Sequence, residues 1–581
     1  MTALIDKLRP SLTPHWIEPT ALPDGIELGN VHANPLLARI LWQRGIRDVD
    51  AARAFTNSRS AAAPSPWLLP NMESAVERVA DAIDNREKVA IFGDYDADGV
   101  TSSVLLTRAL RPHLGVNNML TILPERADGY GVSLKGVGEA ARFGASLLIT
   151  VDCGSSDHQA LDAARKAGID VVVLDHHRIN GDPPEHAIVV SPQLGDDERY
   201  RDLTGVGVAW LLVSALAQNG VPITDPPART ERAFLDLVAI GTVADVSPLI
   251  GINRSIVRDG IAVLRRSIRP GLRAMTRVAD RDIRSMTAAD IAFTIAPRLN
   301  AAGRLGSPTL AYDLLMEEDP ARAETLALEV ERINRQRKSL ATSMLQKATE
   351  RILANPDWED WPILIAHDPS WQAGMVGTIA AKITEASGRP SILFEECEDG
   401  VLKGSARSIP GVNIGEILNE LDHLLIRHGG HSGAAGVSVH RDRLDEFAEE
   451  LAMLVLAADA EIPAPALLPI DADLTPEDLS QETVLALGDL EPCGRGNDIP
   501  NLRIAGARVA EYTTIGNGGD HLKVRAQHGD RSIECVFWNA AHRSGELMRA
   551  DRVDLVGTLG VNTWRDRSRL QFDLKDFRAS P

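Results

Sequence analysis

Three aspartates stand at alternate positions directly after an apolar run. They are Asp94, Asp96 and Asp98, within KVAIFGDYDADGVTS at residues 88–102. Carboxylates this close repel one another, and a fold tolerates the repulsion mainly where cations lie among them. The helical pattern SVLLTRAL follows, so the acids lie at the carboxyl end of a predicted strand, where open α/β sheets build their sites. The alternative is a solvated acidic turn, and this segment alone does not decide between the two.

Further acidic and imidazole groups follow other apolar runs. They are Asp152 after ASLLITV, Asp175, His176 and His177 after IDVVVL, and Asp245 in GTVADVSPL. The carboxyl ends of parallel strands meet at one sheet edge, so we expect these groups to converge there. Taken singly, each has a simpler explanation, either as a helix cap or as a histidine satisfied at the sheet edge. Four such clusters in one predicted sheet favour a shared site.

The chemistry of this set favours particular metals. Oxygen-rich ligands with one or two imidazoles suit Mn²⁺ or Mg²⁺, whereas zinc and copper sites more often contain several His or Cys. Two such cations about 3.5 to 4 Å apart could hold a phosphodiester in line for attack. One would generate hydroxide from a bound water, and the other would stabilise the leaving oxygen.

The elements that position these groups follow from the pattern of the chain. Helical and β-rich runs alternate over residues 71–275, which implies βαβ units and a parallel sheet. Residues 276–355 are predicted as a helical connector, and residues 356–458 repeat the α/β pattern. Short alternating strands predict a small barrel such as an OB-fold in residues 465–581, and residues 1–70 are predicted as a helical lead-in. The predicted fold class is α/β: two α/β lobes joined by a long helix, plus a C-terminal β-barrel.

Composition narrows the class of protein. The chain has 581 residues, 44% hydrophobic and 24% charged, which is too long for a single core. It contains no run of eighteen or more apolar residues and no secretory signal at its start, so we expect no membrane contact. Four cysteines without CxxC spacing argue against a disulfide framework or a zinc site and indicate a reducing cytoplasm. The net charge of -20 is unusual for a polyanion binder, although its distribution matters more than its sum.

An ordered set of motifs runs through nearly the whole chain. They are GDYDADG, DGYG, VDCG, DHH, GTVADV, RLNAAGRLG, GSARS, GGHSGAAG and EPCGRGN. In this order they resemble the DHH phosphoesterase superfamily, and within it the single-strand-specific DNA exonucleases. DHH alone is a weak signal, but the ordered set is specific. The resemblance implies a parallel-sheet DHH domain, a second α/β lobe of the DHHA1 type and a C-terminal OB-fold.

The resemblance also implies roles for the acids and histidines. It implies two bound ions, Mn²⁺ or Mg²⁺, with Asp152 bridging them, and these metal ligands: Asp96, Asp98, Asp152, His176 and Asp245. Three further residues belong to the catalytic set. His177 would contact the phosphate or orient the site, and Asp175 would hydrogen-bond a neighbour and fix its tautomer. For Asp94, direct metal contact and support of a ligand both stay open.

Phosphate recognition is expected from the second lobe. Gly429, Gly430 and His431 resemble the GGH loop of the family, whose backbone N–H groups and imidazole can approach an anion. The alternative, a flexible glycine linker, is disfavoured because apolar VSV follows at once. Four more residues could form a pocket for a 5′-terminal phosphate: Ser405, Arg407, Arg298 and Arg304. Surface arginines are often simply solvated, so each assignment stays a hypothesis.

The predicted barrel offers a surface for single-stranded bases. Residues 501–581 carry 13 basic and 10 acidic side chains, so the acidity of the chain lies elsewhere. Trp538 and Trp564, with basic residues nearby in sequence, offer the aromatic and basic mixture on which single-stranded bases stack. The alternative is that one or both tryptophans pack in the barrel core.

The implied activity is metal-dependent hydrolysis of single-stranded DNA from its 5′ end to 5′-mononucleotides, in DNA repair, mismatch repair and recombination. The implied partners are single-stranded DNA, a single-stranded-DNA-binding protein and a RecQ-type helicase, and we expect a cytoplasmic monomer. One alternative is a phosphodiesterase of nanoRNA or cyclic dinucleotides, which the length and the barrel disfavour. The other is an inactive DHH protein that only binds DNA or replication proteins, which the intact set of acids disfavours.

The segment PERADGYG is one residue shorter than the common family form, which leaves the role of Arg126 open. Two single positions also depart from the family pattern. Gln372 in SWQAGMVG stands where relatives commonly carry histidine, which bears on substrate or partner contacts. Cys493 in EPCGRGN stands where phenylalanine is usual, which bears on packing. None of these departures removes a predicted metal ligand.

Overall fold

The structure is a computed structural model in which the chain forms two compact units. The parallel-sheet unit comprises Asp50–Arg337 and Gly488–Ile499, and the mixed-sheet unit comprises Met1–Val49, Lys338–Leu487 and Pro500–Pro581. The structure describes residues 2–8, 14–21, 28–56, 64–179, 181–223, 232–397, 399–516, 518–547, 549–564 and 567–580.

The strands of the described residues are short in the first half of the chain and longest in the last 80 residues. They are β1 His15–Ile17, β2 Val89–Gly93, β3 Met119–Ile122, β4 Leu147–Val151, β5 Asp170–Leu174, β6 Ile188–Val190, β7 Leu364–Asp368, β8 Ser391–Glu396, β9 Val401–Arg407, β10 Leu425–His431, β11 Ala434–His440, β12 Leu467–Pro469, β13 Ala472–Asp473, β14 Leu502–Ile515, β15 His521–His528, β16 Arg531–Phe537, β17 Val553–Trp564 and β18 Arg567–Ala579.

Some α-helices of the described residues alternate with strands, whereas those over residues 205–353 follow one another with no described strand between them. They are α1 Thr2–Ile5, α2 Pro35–Gln43, α3 Val49–Thr56, α4 Met72–Asp84, α5 Ala97–Leu114, α6 Leu134–Phe143, α7 His158–Lys166, α8 Gly205–Gln218, α9 Leu235–Ala244, α10 Gly251–Leu264, α11 Pro270–Val278, α12 Ala288–Asp290, α13 Ala296–Leu305, α14 Pro308–Met316, α15 Pro320–Leu353, α16 Ala373–Ser387, α17 Ile414–Glu420, α18 Leu444–Ala457, α19 Gln481–Leu487 and α20 Ser544–Leu547.

The parallel-sheet unit is built on a five-stranded sheet of order β3-β2-β4-β5-β6, in which every pairing is parallel. Helices cover both faces, so the strands are buried apolar runs, as parallel strands generally are. Ile91, Ile149 and Val172 pack in the core with α5 and α8. Phe92 and Leu148 point the opposite way, into the core with α6 and α7. The predicted parallel sheet is therefore confirmed.

The register of this sheet decides where the chemistry lies. Gly93 pairs with Val151, and Val151 with Leu174. The residues that follow these three strand ends are therefore adjacent at one edge of the sheet. That edge carries Asp94, Asp152 and Asp175.

The mixed-sheet unit contains the second α/β region and the barrel. Its first sheet has the order β10-β11-β9-β8-β7, with only β7 and β8 parallel. Strands β14, β15, β16, β18 and β17 close into a barrel through the pairing of β17 with β14. The predicted long helix is α15, of 34 residues. The second α/β lobe, the connecting helix and the C-terminal barrel are thus confirmed.

The residues predicted as a helical lead-in contain a strand as well as helices. Strand β1 pairs in parallel with β12, and the indole of Trp16 donates to Asp576 Oδ2 at 2.7 Å. The short run HWI lacks the length that would have identified a strand in the sequence. Across the described ranges, we find no helix with the length and apolar character needed to cross a membrane.

Candidate metal centre

The first acidic cluster is shaped by the start of α5. Asp96 is the N-cap residue, and its Oδ1 accepts the N–H groups of Asp98 at 2.8 Å and of Gly99 at 3.2 Å. Asp98 lies in the first helical turn and is 1% exposed. Its two oxygens accept the N–H groups of Gly205 at 2.8 Å and of Val206 at 3.0 Å, which open α8. A helix N-terminus stabilises a nearby carboxylate, so these two N–H groups hold Asp98 in place and offset part of the cost of burying its charge.

Asp152 occupies an unusual backbone position. It follows β4 with a φ of 61°, in the left-handed region that non-glycine residues enter at a cost. Gly205 lies against it, and a Cβ at that glycine would stand 2.7 Å from the Asp152 Cβ. The absence of a side chain at position 205 therefore lets α8 approach two of the predicted ligands, Asp98 and Asp152.

The DHH sequence forms a hydrogen-bonded turn around Asp175. Its Oδ1 accepts the backbone N–H groups of His176 at 2.8 Å and His177 at 3.1 Å, and its Oδ2 accepts that of Ser155 at 3.1 Å. The same Oδ1 lies 2.8 Å from Nδ1 of His177. With Nδ1–H donating to Asp175, Nε2 of His177 is left for another partner.

The side-chain oxygen and nitrogen atoms of the predicted metal ligands lie close together at the edge of the sheet. Nε2 of His176 lies 3.2 Å from Asp152 Oδ1 and 3.9 Å from Asp98 Oδ2. Within each of three groups, ligand atoms lie within 4.8 Å of one another. The groups are Asp94, Asp96 and Asp152; Asp98, His176 and Asp245; and Asp152, His176 and His177. The structure therefore brings together all five predicted ligands and two of the three predicted catalytic residues.

The residues fit a bound cation. Asp94 Oδ1, Asp152 Oδ1 and His176 Nε2 are buried and have no hydrogen-bond partner. Buried polar atoms are rarely left unsatisfied, because desolvation without compensation is costly. A divalent cation among these atoms would satisfy them together, and carboxylate-rich sites with an imidazole suit Mn²⁺ and Mg²⁺.

The pKa values of the clustered residues also indicate a site that binds a cation. Burial, and then the neighbouring carboxylates, raise the pKa values of Asp98 and Asp152 well above their usual range and that of Asp94 to about 7. Burial lowers the pKa of His176, which keeps the ring neutral and able to bind metal. Burial alone would raise the pKa of Asp175, but hydrogen bonds from His177 and the backbone lower it overall.

A cavity of 310 Å³ opens at this cluster. Its lining includes acidic residues of the cluster and two arginines, Arg126 and Arg304. The Arg126 guanidinium lies 5.0 Å from the centre of the Tyr95 ring. A cavity lined by both carboxylates and guanidinium groups suits a metal-bound phosphodiester.

Sequence profiles of three known domains match the chain. They are the DHH family N-terminal domain over residues 88–242, the DHHA1 domain over residues 360–456 and the RecJ OB domain over residues 470–576. The single-stranded-DNA-specific exonuclease RecJ of Escherichia coli is 34% identical over 92% of this chain and 94% of its own length. The chain belongs to the RecJ family.

Solved structures of RecJ from Thermus thermophilus have the same fold. The complex with Mn²⁺ matches 98% of this chain and 80% of its own, at 30% identity and a TM-score of 0.82. The complex with Mg²⁺ matches 98% and 79%, at 29% identity and a TM-score of 0.76. These RecJ structures hold the two metals that the ligand chemistry favours here.

Several residues around the metal centre were not predicted from the sequence. The hydroxyl of Tyr130 donates to the carbonyl of Asp152 at 3.2 Å and lies 2.9 Å from Nδ1 of His177. Asn300 lines the cavity and accepts the N–H of Ala97 at 2.9 Å. The available signal for Tyr130 was the motif DGYG. Asn300 lies in the motif RLNAAGRLG, of which only the two arginines were assigned a role, whereas Gly205 gave no signal.

The two arginines of RLNAAGR separate in the structure. Arg304 lines the cavity, and burial followed by the charge of Arg126 lowers its pKa. Arg298 is not among the lining residues. Its guanidinium is buried and pairs with Glu331 at 2.8 Å, and it donates to the carbonyl of Thr294. On helix α13, six residues bring a side chain to a different face, so only Arg304 is placed to meet a substrate.

The predicted phosphate residues of the second lobe are neighbours on one sheet. In the register of that sheet, Gly429 pairs with Gly436, and Gly436 with Ser405. Gly429, Gly430 and His431 thus form the end of strand β10 rather than the expected loop. A hairpin explains the apolar alternation of VSV in the partner strand. Arg407 donates to Ser405 Oγ at 2.8 Å on β9, which β11 separates from the glycines of β10.

Of the two barrel tryptophans predicted to stack on bases, the structure describes the side chain of Trp538 but not that of Trp564. Trp538 is 53% exposed and lies edge-on to His521, with ring centres 4.9 Å apart. Its ring is therefore available to a base rather than packed in the core. Trp564 ends β17, and its side chain lies outside the described residues.

Proposed function

We propose that this chain is a metal-dependent exonuclease that hydrolyses single-stranded DNA from the 5′ end and releases 5′-mononucleotides. The observation that carries the proposal is the convergence of unsatisfied Asp94, Asp152 and His176 atoms at the sheet edge. An inactive DHH protein would have no need to keep these costly groups buried together. Membership of the RecJ family supports the substrate.

Six residues would hold the metal ions. Asp96, Asp98, Asp152, His176 and Asp245 supply direct ligands, and Asp94 is close enough to contact the same ion. When bound, Mn²⁺ or Mg²⁺ activates a water molecule and stabilises charge on the phosphate. The protein keeps His176 neutral, holds Asp98 with two backbone N–H groups and fixes Asp152 against α8.

The cavity provides for the phosphate. Arg304 and Arg126 place positive charge opposite the acids, and guanidinium groups bind phosphate oxygens in a fixed fork. The Nδ1–H of His177 donates to Asp175, and against the effect of burial this carboxylate raises the pKa of His177. The protonated ring can therefore donate from Nε2 to a phosphate oxygen or to the leaving group.

A second anion site supports the 5′ polarity. Ser405, Arg407 and the glycine strand of β10 offer a hydroxyl, a guanidinium and close backbone approach for a terminal phosphate. A site that binds the 5′-terminal phosphate would make hydrolysis begin at the 5′ end. The exposed Trp538 would stack on a base of the same strand.

The same proposal includes the cellular setting. A 5′ exonuclease of single strands needs another enzyme to unwind duplex DNA, which fits a RecQ-type helicase, and its substrate is the strand that a single-stranded-DNA-binding protein covers. We propose a role in DNA repair and recombination, in the cytoplasm, as a monomer.

The test is digestion of one single strand labelled at its 5′ end and, in a parallel sample, at its 3′ end, with Mn²⁺, Mg²⁺ or EDTA. We expect early release of 5′-labelled mononucleotide, no reaction in EDTA, and sparing of the blunt duplex. Early release of the 3′ label would contradict the polarity. Hydrolysis of dinucleotides alone would favour the small-substrate alternative, and binding of DNA without hydrolysis would favour the inactive one.

A further inference from the structure

One segment packs on the parallel-sheet unit although its sequence neighbours belong to the mixed-sheet unit. Gly488–Ile499, which we call the strap, lies between α19 and β14, within the residues that match the RecJ OB domain. It contains the motif EPCGRGN, which the proposed function leaves without a role. Its contacts therefore need an explanation of their own.

Arg254 of α10 anchors the strap. Its side chain is 2% exposed, and its guanidinium donates to the carbonyls of Leu490, Glu491 and Pro492 at 3.0 Å each. It lies 3.7 Å from the centre of the Phe55 ring and donates to the Phe55 carbonyl. The Asn497 side chain of the strap also donates to the carbonyls of Leu490 and Pro492, at 2.9 and 2.7 Å. Arg254 and Asn497 together therefore hold the strap in its curved form.

The strap in turn holds the segment that follows Asp245. The N–H of Leu249 donates to the carbonyl of Arg495 at 2.7 Å, and the Arg495 side chain donates to the carbonyl of Val246 at 3.5 Å. A Cβ added at Gly494 would stand 2.7 Å from Leu249 Cδ1. The strap and the Asp245–Leu249 turn are therefore closely packed at Gly494.

That turn contains a strained residue directly after a predicted metal ligand. Val246 has a φ of 57°, in the left-handed region that β-branched residues avoid. Its side chain is 61% exposed, so burial of the side chain does not hold the backbone there. A strained backbone persists only where its surroundings over-determine it. Val246 follows the end of α9, where the N–H groups of Val246 and Ser247 donate to the carbonyls of Val243 and Thr242 at 3.2 and 3.4 Å. The contacts of the strap with Val246 and Leu249 add to that constraint.

We infer that the strap fixes the Asp245–Leu249 turn so that the Asp245 carboxylate faces the metal centre, and that Arg254 is a positioning residue for metal binding. The inference rests on the proposed function, because it takes Asp245 as a metal ligand. It assigns to EPCGRGN the support of the metal centre. It also makes a segment matched by the OB-domain profile part of the structure that prepares the catalytic site.

The test measures Mn²⁺ affinity directly, by electron paramagnetic resonance of free Mn²⁺, on the full chain. Two variants loosen the strap: Arg254→Met removes the anchor, and Gly494→Ala presses the strap away from Leu249 without removing any hydrogen-bonding group. We expect either to weaken Mn²⁺ affinity about tenfold, and saturating Mn²⁺ to restore kcat.

The matched control is Arg269→Met. Arg269 is also a buried arginine of the parallel-sheet unit, and it pairs at 2.9 Å with Asp236 near the start of α9, whereas Asp245 follows the end of that helix. We expect this control to lower the melting temperature of the metal-free protein and to leave Mn²⁺ affinity within about twofold of the parent.

A second pair of variants tests the strain. Glycine adopts a left-handed backbone without cost, so Val246→Gly should need the strap less. We expect the tenfold loss caused by Arg254→Met to shrink to about threefold when Val246→Gly is also present. A full tenfold loss in the double variant would overturn the role of strain.

The outcomes separate the two proposals. Unchanged Mn²⁺ affinity in Gly494→Ala and in any folded Arg254→Met protein would overturn the strap inference alone. A loss of affinity in the Arg269→Met control as large as in the strap variants would also overturn it, because general destabilisation would then explain both. Failure of the parent protein to bind Mn²⁺ would overturn the proposed function together with the inference.

Discussion

The metal centre and the barrel surface differ in whether their charged side chains already have partners. At the centre, the carboxylates are buried, crowded and held by backbone N–H groups, and some of their oxygens have no hydrogen-bond partner. On the barrel, two of the basic side chains have partners: Lys523 pairs with Glu534 at 3.1 Å, and Arg525 with Glu511 at 2.8 Å. The centre is unsatisfied without a ligand, whereas these two barrel side chains are already paired.

This difference shows that a function can be inferred where the burial of unsatisfied polar groups is costly. Burial makes an unsatisfied group costly, so the centre has a composition that only a bound cation explains. Surface ion pairs are worth little and exchange easily with phosphate groups. Function can therefore be inferred from the buried groups of the centre but not from the paired side chains of the barrel. Four experiments test this contrast, in order of decreasing effect.

The largest effect is expected at Asp152. Asp152→Asn keeps the shape of the side chain and tolerates the left-handed backbone, but it removes the charge at the middle of the centre. We expect loss of nuclease activity by about 1,000-fold or more, with single-strand binding retained. Quantitative digestion and a gel-shift assay check both halves, and Asp152→Ala should behave likewise. Substantial activity in either variant would contradict the assignment of Asp152.

The next effect concerns pH. The pKa of Asp94 is raised to about 7, so between pH 4 and 7 the folded metal-free protein holds a proton that the unfolded chain has released. Its melting temperature should therefore fall as pH rises through this window, by the equivalent of a few kcal/mol, and Mn²⁺ should reverse the fall at pH 7.

Asp94→Asn is the control for this prediction, because asparagine cannot titrate. The variant should show a shallower fall in melting temperature over the same window. An identical slope in the variant would show that other groups of the centre, and not Asp94, carry the pH dependence.

A smaller effect should separate the two arginines of α13. Arg304→Met removes positive charge from the cavity, and we expect KM for a 5′-phosphorylated strand to rise about tenfold with little change in stability. Arg298→Met breaks a buried ion pair with Glu331, and we expect a loss of about 3 kcal/mol in unfolding free energy with little change in KM. The reverse pattern would exchange the roles of the two residues.

The smallest effect is expected on the barrel. Trp538→Ala removes an exposed ring, and we expect binding of a long single strand to weaken by about 1 kcal/mol, with hydrolysis of a dinucleotide unchanged. Trp538→Phe should restore most of the loss, since any aromatic face can stack. Equal loss on the dinucleotide would place Trp538 outside strand binding and in the support of the fold.

Much of the site could be predicted from the sequence because strand ends are local. An apolar run followed by an acid marks the end of a buried strand, and parallel strands align their ends, so Asp94, Asp152 and Asp175 had to be close. The same reasoning gave the fold: alternating helices and strands, a long polar helix and short barrel strands.

What the sequence could not show depends on contacts between distant segments. The N–H groups of Gly205 and Val206 bind Asp98 across more than 100 residues, and Asn300 meets Ala97 across 203. The burial of Arg298 depends on Glu331 of the next long helix, which no local pattern reveals. The glycines of GGH were expected in a loop because they resemble the GGH loop of the family, but the register with β11 places them in a strand.

The bonds from α8 to Asp98 bear on the order in which this protein assembles. The fourteen-residue helix presents its N-terminal amides to the most buried acid of the centre, so part of the balancing charge is built into the backbone. Small zinc domains, by contrast, do not fold before their ion arrives. Here the chain can complete its sheet and helices first and acquire Mn²⁺ or Mg²⁺ afterwards, so the availability of metal would regulate turnover rather than biogenesis.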